Sequence, residues 1–496
     1  MTKKRPTAKQ SRRRSTVAPV RALHLDLKGL PPTAPRLTEI MELAKASGYN
    51  ALLVEWEDQF PWKDERFRNE TCYSVQEVET FHREAARLGM EIIPLVQCLG
   101  HMETWLRPPE FEGLRETARY VDVLNPLAPG AGAFIEGLVD EVLAKTPGCK
   151  WFHLGGDEAW TFGTHPDTKA FVEKHGKGAL YLKHVEPILD RLIARGVRPI
   201  LWHDMMLEWD LPALKALGKK ADLCVWGYGR YDRVGSPWMK ALGKAEAASK
   251  PPILQGGGGH AACDALFKRF LAAGVPLWGG GAYKAGVRGL MHPDLPDHEA
   301  RLINTADWAV FAQRFPLQGL MNTAWSRNTT DACQYIPIDA ALDLLVAGGL
   351  VWSGAAKAAG NLLKPDAAWK AKVLARSMAL LKKRGEAARF EACRDVMHRL
   401  NRQRLAGWEN AIKPRETLAC FESDPRRKSL LSPEKSLGYL KDHQIKSIEG
   451  LRGEILKTYH GLIPDLWLNR YVDERLEPLK QEHAELSARL KRLMGD

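Results

Sequence analysis

No uncharged apolar stretch of this 496-residue chain reaches the 18 or so residues that a membrane-spanning helix needs, and its opening, MTKKRPTAKQSRRRS, is not followed by the apolar core of a signal peptide. A cytoplasmic protein without membrane contact is the expectation. The eight cysteines (Cys72, Cys98, Cys149, Cys224, Cys263, Cys333, Cys393, Cys420) contain no CxxC pair and no framework spacing, which excludes a disulfide scaffold and reads as reduced, mostly buried thiols. No HExxH or Cys/His spacing turns His153, His203 and His260 with Asp204 into a metal site, so no metal is predicted. The run Gly256 to His260 lacks the Lys-Ser/Thr of a phosphate loop and the spacing of a dinucleotide fingerprint; it reads as a flexible loop. No cofactor is expected.

What is present is the composition of well-packed globular domains, with 45% hydrophobic, 27% charged and 8% aromatic residues. The formal charge is +12, but Lys3, Lys4, Arg5, Lys9, Arg12, Arg13 and Arg14 hold seven of those twelve charges, leaving five for the rest. Residues 1–18 therefore read as a short, basic, disordered tail, and nucleic acid is not an expected partner. The competing reading, in which that tail docks the protein on a polyanion, would show as binding lost steeply with salt.

From residue 20 to about 330, short apolar runs alternate with helical patterns, the signature of βα units around a buried parallel sheet. Eight runs can be numbered: Val20 to Leu27, Asn50 to Glu55, Glu91 to Gln97, Lys150 to Leu154, Arg198 to His203, Asp222 to Trp226, Val275 to Gly279 and Gln318 to Ala324. Eight strands in this rhythm predict an α/β fold, a closed (β/α)8 TIM barrel over 19–335. Residues 336–496 lose the β-branched runs and predict a helical C-terminal region, with periodicity in Ala367 to Leu400 and Ser436 to Tyr459 and a connecting loop from Lys413 to Lys435 around Pro414, Pro425 and Pro433. A last helix beginning near Val472 puts Leu476, Leu479, Leu486, Leu490 and Leu493 on one stripe. Packing within the chain is the expectation for it, and a homodimer the alternative.

Barrel active sites form at the carboxyl ends of the strands. Here those ends carry Asp26 and Lys28, Glu55 to Glu57, Gln97 and His101, His153 with Asp157 and Glu158, Trp202 and Asp204, Trp226 and Tyr228, Trp278 and Tyr283, and Trp325. Carboxylates beside indole rings suit a sugar, whose C–H faces stack on aromatics while its hydroxyls seek polar partners.

The segment Trp151-Phe152-His153-Leu154-Gly155-Gly156-Asp157-Glu158 resembles the H-x-G-G-D-E signature of the β-N-acetylhexosaminidases of glycoside hydrolase family 20. The stretches His24 to Gly29, Glu55 to Pro61, Val96 to His101 and Ala282 to Lys284 look like the branch of that family containing hexosaminidase D. The resemblance implies a retaining exo-enzyme on glycans or glycoconjugates ending in N-acetylglucosamine or N-acetylgalactosamine, in which the substrate's own acetamido oxygen is the nucleophile. It implies Glu158 as general acid and base and Asp157 as the carboxylate that orients the acetamido group. Two such close carboxylates cannot ionise equally easily, so the pair can retain a proton near neutral pH. By the same resemblance Tyr283 would bond the acetamido oxygen, and Trp202, Trp226 and Trp325, with Trp278, would wall the acetamido methyl pocket. His101 and Asp204 look like sugar-contacting or supporting groups.

The chain departs from the family pattern where many members carry an arginine near the end of the first strand; here stands Asp26-Leu27-Lys28. After Trp325 come Ser326 and Arg327 where many members place an acid. Asp26, Lys28 and Glu55 could supply replacement bonds to the outer hydroxyls, which leaves the choice between gluco and galacto sugars open. A carbohydrate-binding protein of the same fold without catalysis is the rival reading.

Overall fold

A computed structural model of the chain describes residues 17–229, 259–284, 294–326, 330–355, 365–424 and 433–494. The basic tail to residue 16, Gly256 to Gly258 and Arg327 fall outside them, and Gly259 opens a helix, Gly259–Ala272.

Ten strands are described: β1 (Val20–Asp26), β2 (Ala51–Glu55), β3 (Glu91–Leu95), β4 (Arg115–Thr117), β5 (Tyr120–Leu124), β6 (Trp151–His153), β7 (Arg198–Trp202), β8 (Asp222–Trp226), β9 (Leu277–Ala282) and β10 (Leu317–Thr323). Eight of them close a parallel barrel in the order β1-β10-β9-β8-β7-β6-β3-β2, and these are the eight apolar runs expected from the sequence. Both faces are buried, which is why the runs are continuously apolar rather than alternating. Inward-facing Ala22, Leu53, Ile93, Ile200, Cys224 and Met321 fill the barrel, while Leu23, Leu25, Leu52, Val54, Leu223 and Val225 face the surrounding helices. Strand β9 carries three successive glycines because bulky neighbours press on both its faces: a Cβ at Gly280 would sit 3.1 Å from the Trp226 side chain, and one at Gly279 2.5 Å from the Trp308 ring.

Register sets the rim. Asp26 pairs with Glu55, Glu55 with Leu95, and Leu95 with His153, so the polar residues that follow these positions emerge at one level. The short hairpin β4–β5 follows β3 and was not foreseen.

The helical region follows a helix at Leu342–Trp352 that packs on helix Ala34–Ser47. It comprises Ala367–Lys383, Ala387–Ser423, Pro433–Tyr439, a π turn at Leu440–Ile445, Lys446–Thr458 and Asp465–Met494. The expected loop from Lys413 is wrong in its first part. Helix Ala387–Ser423 runs straight through Pro414, because Ala411, Pro414, Leu418 and Phe421 form a buried face on the helical core, and that burial outweighs the lost backbone bond. Residues 425–432 lie outside the described residues. The last helix starts seven residues before the expected point, and Leu476, Leu479, Leu486 and Leu490 are buried within the chain, with Leu493 packed against the same core.

Candidate active site

The fourth barrel strand, β6, stops at His153, and the chain is then forced close to its neighbours. Gly155 and Gly156 have φ of +59° and +78°. A Cβ on Gly155 would lie 1.7 Å from the Gln97 amide oxygen, and one on Gly156 2.3 Å from the Tyr181 hydroxyl. Both contacts are hydrogen bonds to the backbone: the Gly156 N–H donates to Gln97 Oε1 at 3.2 Å and the Tyr181 hydroxyl donates to the Gly156 carbonyl at 3.1 Å. The two glycines are thus required by space as well as by conformation. Glu158 itself has φ +47°, and the other non-glycine residues with positive φ among those described are Glu57 (+48°) and His101 (+55°). All three follow barrel strands at the same rim, where backbone strain of this kind marks functional sites.

Asp157 is 6% exposed, and its Oδ1 is buried with no hydrogen-bond partner. The Glu158 side chain is 34% exposed beside it. His101 Nε2 lies 3.7 Å from Asp157 Oδ2 and 3.6 Å from Glu158 Oε2. Burial works against a charged His101, but the carboxylates of Asp157, Glu158 and Glu103 outweigh it and hold the imidazole well above the usual histidine range. Asp204 completes the group, accepting the Glu158 N–H at 2.9 Å and the Trp226 indole N–H at 3.1 Å. Burial first and the Asp157 charge second push its carboxyl up to about 7. The sequence placed a retained proton within the Asp157–Glu158 pair; the structure adds a third carboxyl, Asp204, whose ionisation burial and the Asp157 charge oppose.

Over this cluster stands a cage of rings. Trp202 and Trp325 meet edge to face at 5.2 Å, Trp226 stacks on Tyr228 at 5.4 Å and 20°, and Tyr228 reaches Trp325 at 6.0 Å. The Tyr228 hydroxyl is kept neutral by burial, and the charges of Asp157 and Glu158 act in the same direction.

Trp278, expected in the wall of the methyl pocket, and Tyr283, expected at the acetamido oxygen, lie apart from this cage. Trp278 donates its indole N–H to Asp222, the first residue of β8, at 2.9 Å and packs on Trp151, the first residue of β6, at 5.3 Å. It plugs the amino-terminal end of the barrel. Tyr283 belongs to the layer between barrel and helices, where Tyr49, Asp26 and Asp339 are the titratable groups acting on its buried hydroxyl. Side chains alternate along a strand, so with Trp278 facing in, Tyr283 five residues on faces out; that period was available in the sequence. The same period puts Tyr228, two residues after Trp226, inside.

At the ends of β1 and β2, Lys28 Nζ lies 2.5 Å from Glu55, 3.3 Å from Glu57 and 3.5 Å from Asp26, all four side chains being buried. Glu55 also accepts the Trp325 indole N–H at 2.9 Å and lies 3.2 Å from His24 Nε2. Gln97, which sequence reasoning left without a role, ties this acid-rich cluster to the first: its amide N–H donates to Glu55 at 3.4 Å while its oxygen holds Gly156. Among the described residues no group of three His, Cys, Asp or Glu side chains is placed to hold a metal ion.

Comparison with known proteins bears on the family and the fold. The model of glycosyl hydrolase family 20, catalytic domain, matches residues 32–235. Hexosaminidase D of Bos taurus is 30% identical over 335 residues, 64% of this chain and 88% of that protein. Hexosaminidase D of Homo sapiens is 30% identical over 354 residues, 68% and 67% respectively. Among solved structures, a chitobiase of Flavobacterium johnsoniae shares the fold with a TM-score of 0.53 at 15% identity, covering 96% of this chain and 72% of that one.

Proposed function

Because this chain belongs to glycosyl hydrolase family 20, we propose that it is a retaining, exo-acting β-N-acetylhexosaminidase that releases terminal β-linked N-acetylglucosamine or N-acetylgalactosamine by substrate-assisted catalysis. The observation that carries this reading is the buried, unpartnered Oδ1 of Asp157, an acceptor beside the part-exposed carboxyl of Glu158. An acetamido N–H is the donor that such an oxygen lacks.

With Asp157 accepting that N–H, the acetamido oxygen is turned toward C1. Its attack breaks the glycosidic bond and forms an oxazolinium ion, whose positive charge Asp157 offsets, while Glu158 delivers a proton to the departing oxygen. Glu158 then takes a proton from water as that water opens the ring, and two inversions at C1 restore the β configuration. Trp202, Trp226 and Trp325 enclose the acetamido methyl and keep water away from the cation. In this reading Tyr228 rather than Tyr283 serves the acetamido oxygen, which its stacking in the cage and the action of the Asp157 and Glu158 charges on it support. His101 bridges Asp157 and Glu158, and Asp204 fixes the backbone of Glu158. Asp26, Lys28 and Glu55, with Glu57, are the groups available to the outer hydroxyls.

Eight free cysteines suit a reducing compartment such as the cytoplasm, and among the described residues no helix is long and apolar enough to cross a membrane. A panel of nitrophenyl glycosides tests the reading. The N-acetylated β-glycosides should be cleaved and the matching β-glucoside and β-galactoside left intact; equal rates on both classes would overturn it.

A further inference from the structure

A chain of side-chain hydrogen bonds runs along the barrel rim and ends on two groups of the proposed acetamido site. It follows strands that are neighbours in the barrel: β10, β1, β2, β3 and β6. The Trp325 indole, just past β10, donates its N–H to Glu55 Oε2 at 2.9 Å. Glu55 closes β2, and its other oxygen, Oε1, accepts the Gln97 side-chain N–H at 3.4 Å from the segment after β3. Gln97 Oε1 in turn accepts the Gly156 N–H at 3.2 Å, and the next residue is Asp157. His24 of β1 closes the first link. Its Nδ1 accepts the Ala324 N–H at 3.2 Å, its Nε2 lies 3.2 Å from Glu55 Oε2, and its ring stands edge-on to Trp325 at 4.8 Å.

His24, Glu55 and Gln97 are all buried, so these bonds form away from bulk water, where a donor left without its acceptor is costly. The middle position suits an amide, which offers a donor to the Glu55 carboxylate and an acceptor to the Gly156 N–H at once. There is no slack on the Asp157 side. A Cβ on Gly155 would lie 1.7 Å from Gln97 Oε1, so the turn that carries Asp157 rests directly on Gln97. Lys28, 2.5 Å from Glu55 Oε1, offsets the buried charge.

We propose that Glu55 and Gln97 are positioning residues that fix the spacing between the Trp325 wall and Asp157, so that the pocket fits an N-acetyl group and rejects a longer acyl group. The inference rests on the hexosaminidase reading and deepens it. Both residues act through others, Glu55 through the Trp325 indole and Gln97 through Gly156. A Glu55 that served the outer hydroxyls alone would act alike on all N-acyl substrates, because they share those hydroxyls.

The test compares kcat/KM on nitrophenyl β-glucosaminides bearing an N-acetyl or an N-propionyl group, which differ by one methylene. The wild type should prefer the N-acetyl substrate by about tenfold or more, the worth of a methylene in a fitted pocket. Gln97→Glu sets two carboxylates against each other. Gln97→Met removes both bonds with little change of shape and no new charge, so the test stands even if the charged variant does not fold. In each the preference should fall to about threefold or less. The double variant Glu55→Gln/Gln97→Glu turns the pair round, an amide on β2 facing a carboxylate after β3, and should recover most of the preference. A preference within about twofold of the wild type in both single variants, even with a lowered Tm, would mean a merely structural link and overturn the proposal. So would a wild type that cleaves both substrates equally, or a double variant no more selective than Gln97→Glu. A wild type inactive on both substrates and on the N-acetylgalactosaminide would instead overturn the hexosaminidase reading itself, so the two failures are distinguishable.

Discussion

At the scale of the residue, the site depends on which side chain receives which proton. Glu158→Gln keeps the shape and removes the acid, so kcat on substrates with poor leaving groups should fall by about 10²–10⁴-fold, and Asp157→Asn should be similarly impaired; turnover numbers on chitobiose measure both. Tyr228→Phe should lower kcat/KM by about tenfold or more through loss of one hydrogen bond to a charged transition state. Tyr283→Phe, which deletes a hydroxyl among Tyr49, Asp26 and Asp339, should stay within about twofold of the wild type. Steady-state kinetics of the two variants decide which tyrosine is used. Asp204 carries a pH signature. Its folded carboxyl is raised to about 7 from an ordinary 3.8, chiefly by burial. Between those values the native state holds a proton that the unfolded chain has released, so Asp204 lowers stability progressively as pH rises from 4 to 7, and its full penalty stands above 7. Thermal melts of Asp204→Asn against the wild type should favour the variant more at pH 8 than at pH 5. The sequence disclosed Asp157 and Glu158 through two glycines and a strand end. It did not disclose the upward shift of Asp204, which arises from burial among partners distant in the chain.

At the scale of the element, all eight barrel strands were legible because each is buried on both faces and so reads as an uninterrupted apolar run. The hairpin β4–β5 was not, since Arg115–Thr117 is only three residues long and mostly polar, and β5 is buried only at its last two residues. Its worth lies in one side chain: Glu116 collects three backbone N–H groups and a hydroxyl from the segment after the catalytic pair. Glu116→Ala would leave three part-buried N–H groups and the buried Thr168 hydroxyl without this acceptor, and denaturant unfolding should show a loss of about 1–3 kcal/mol, accompanied by reduced activity. The failed loop at Lys413 has the converse cause. A proline is a local signal, and Pro414 stays helical because its face is covered by helices that follow it in the chain.

At the scale of the whole molecule, the helical region braces the carboxyl-terminal rim of the barrel at the end of β1. Arg475 of the last helix bonds Asp294 at 2.8 Å and the Gln334 carbonyl at 3.3 Å; Gln334 in turn donates to the carbonyls of Asp26 and Lys28 at 2.8 and 2.7 Å. Asp294 also accepts from Arg404 at 3.1 Å and from the Tyr471 hydroxyl at 3.0 Å. Arg475→Met leaves Asp294 with Arg404 as its remaining ion-pair partner and takes a donor from the Gln334 carbonyl, so it should cost about 1–3 kcal/mol in denaturant unfolding. No sequence pattern announced this brace, because its partners lie more than 100 residues apart. The central claim, that the bound sugar supplies its own nucleophile, is tested most directly with the thiazoline analogue of cyclised N-acetylglucosamine. Its inhibition constant against nitrophenyl N-acetylglucosaminide hydrolysis should be competitive and about 100-fold or more below that of N-acetylglucosamine, whereas inhibition no stronger than by the free sugar would contradict the account.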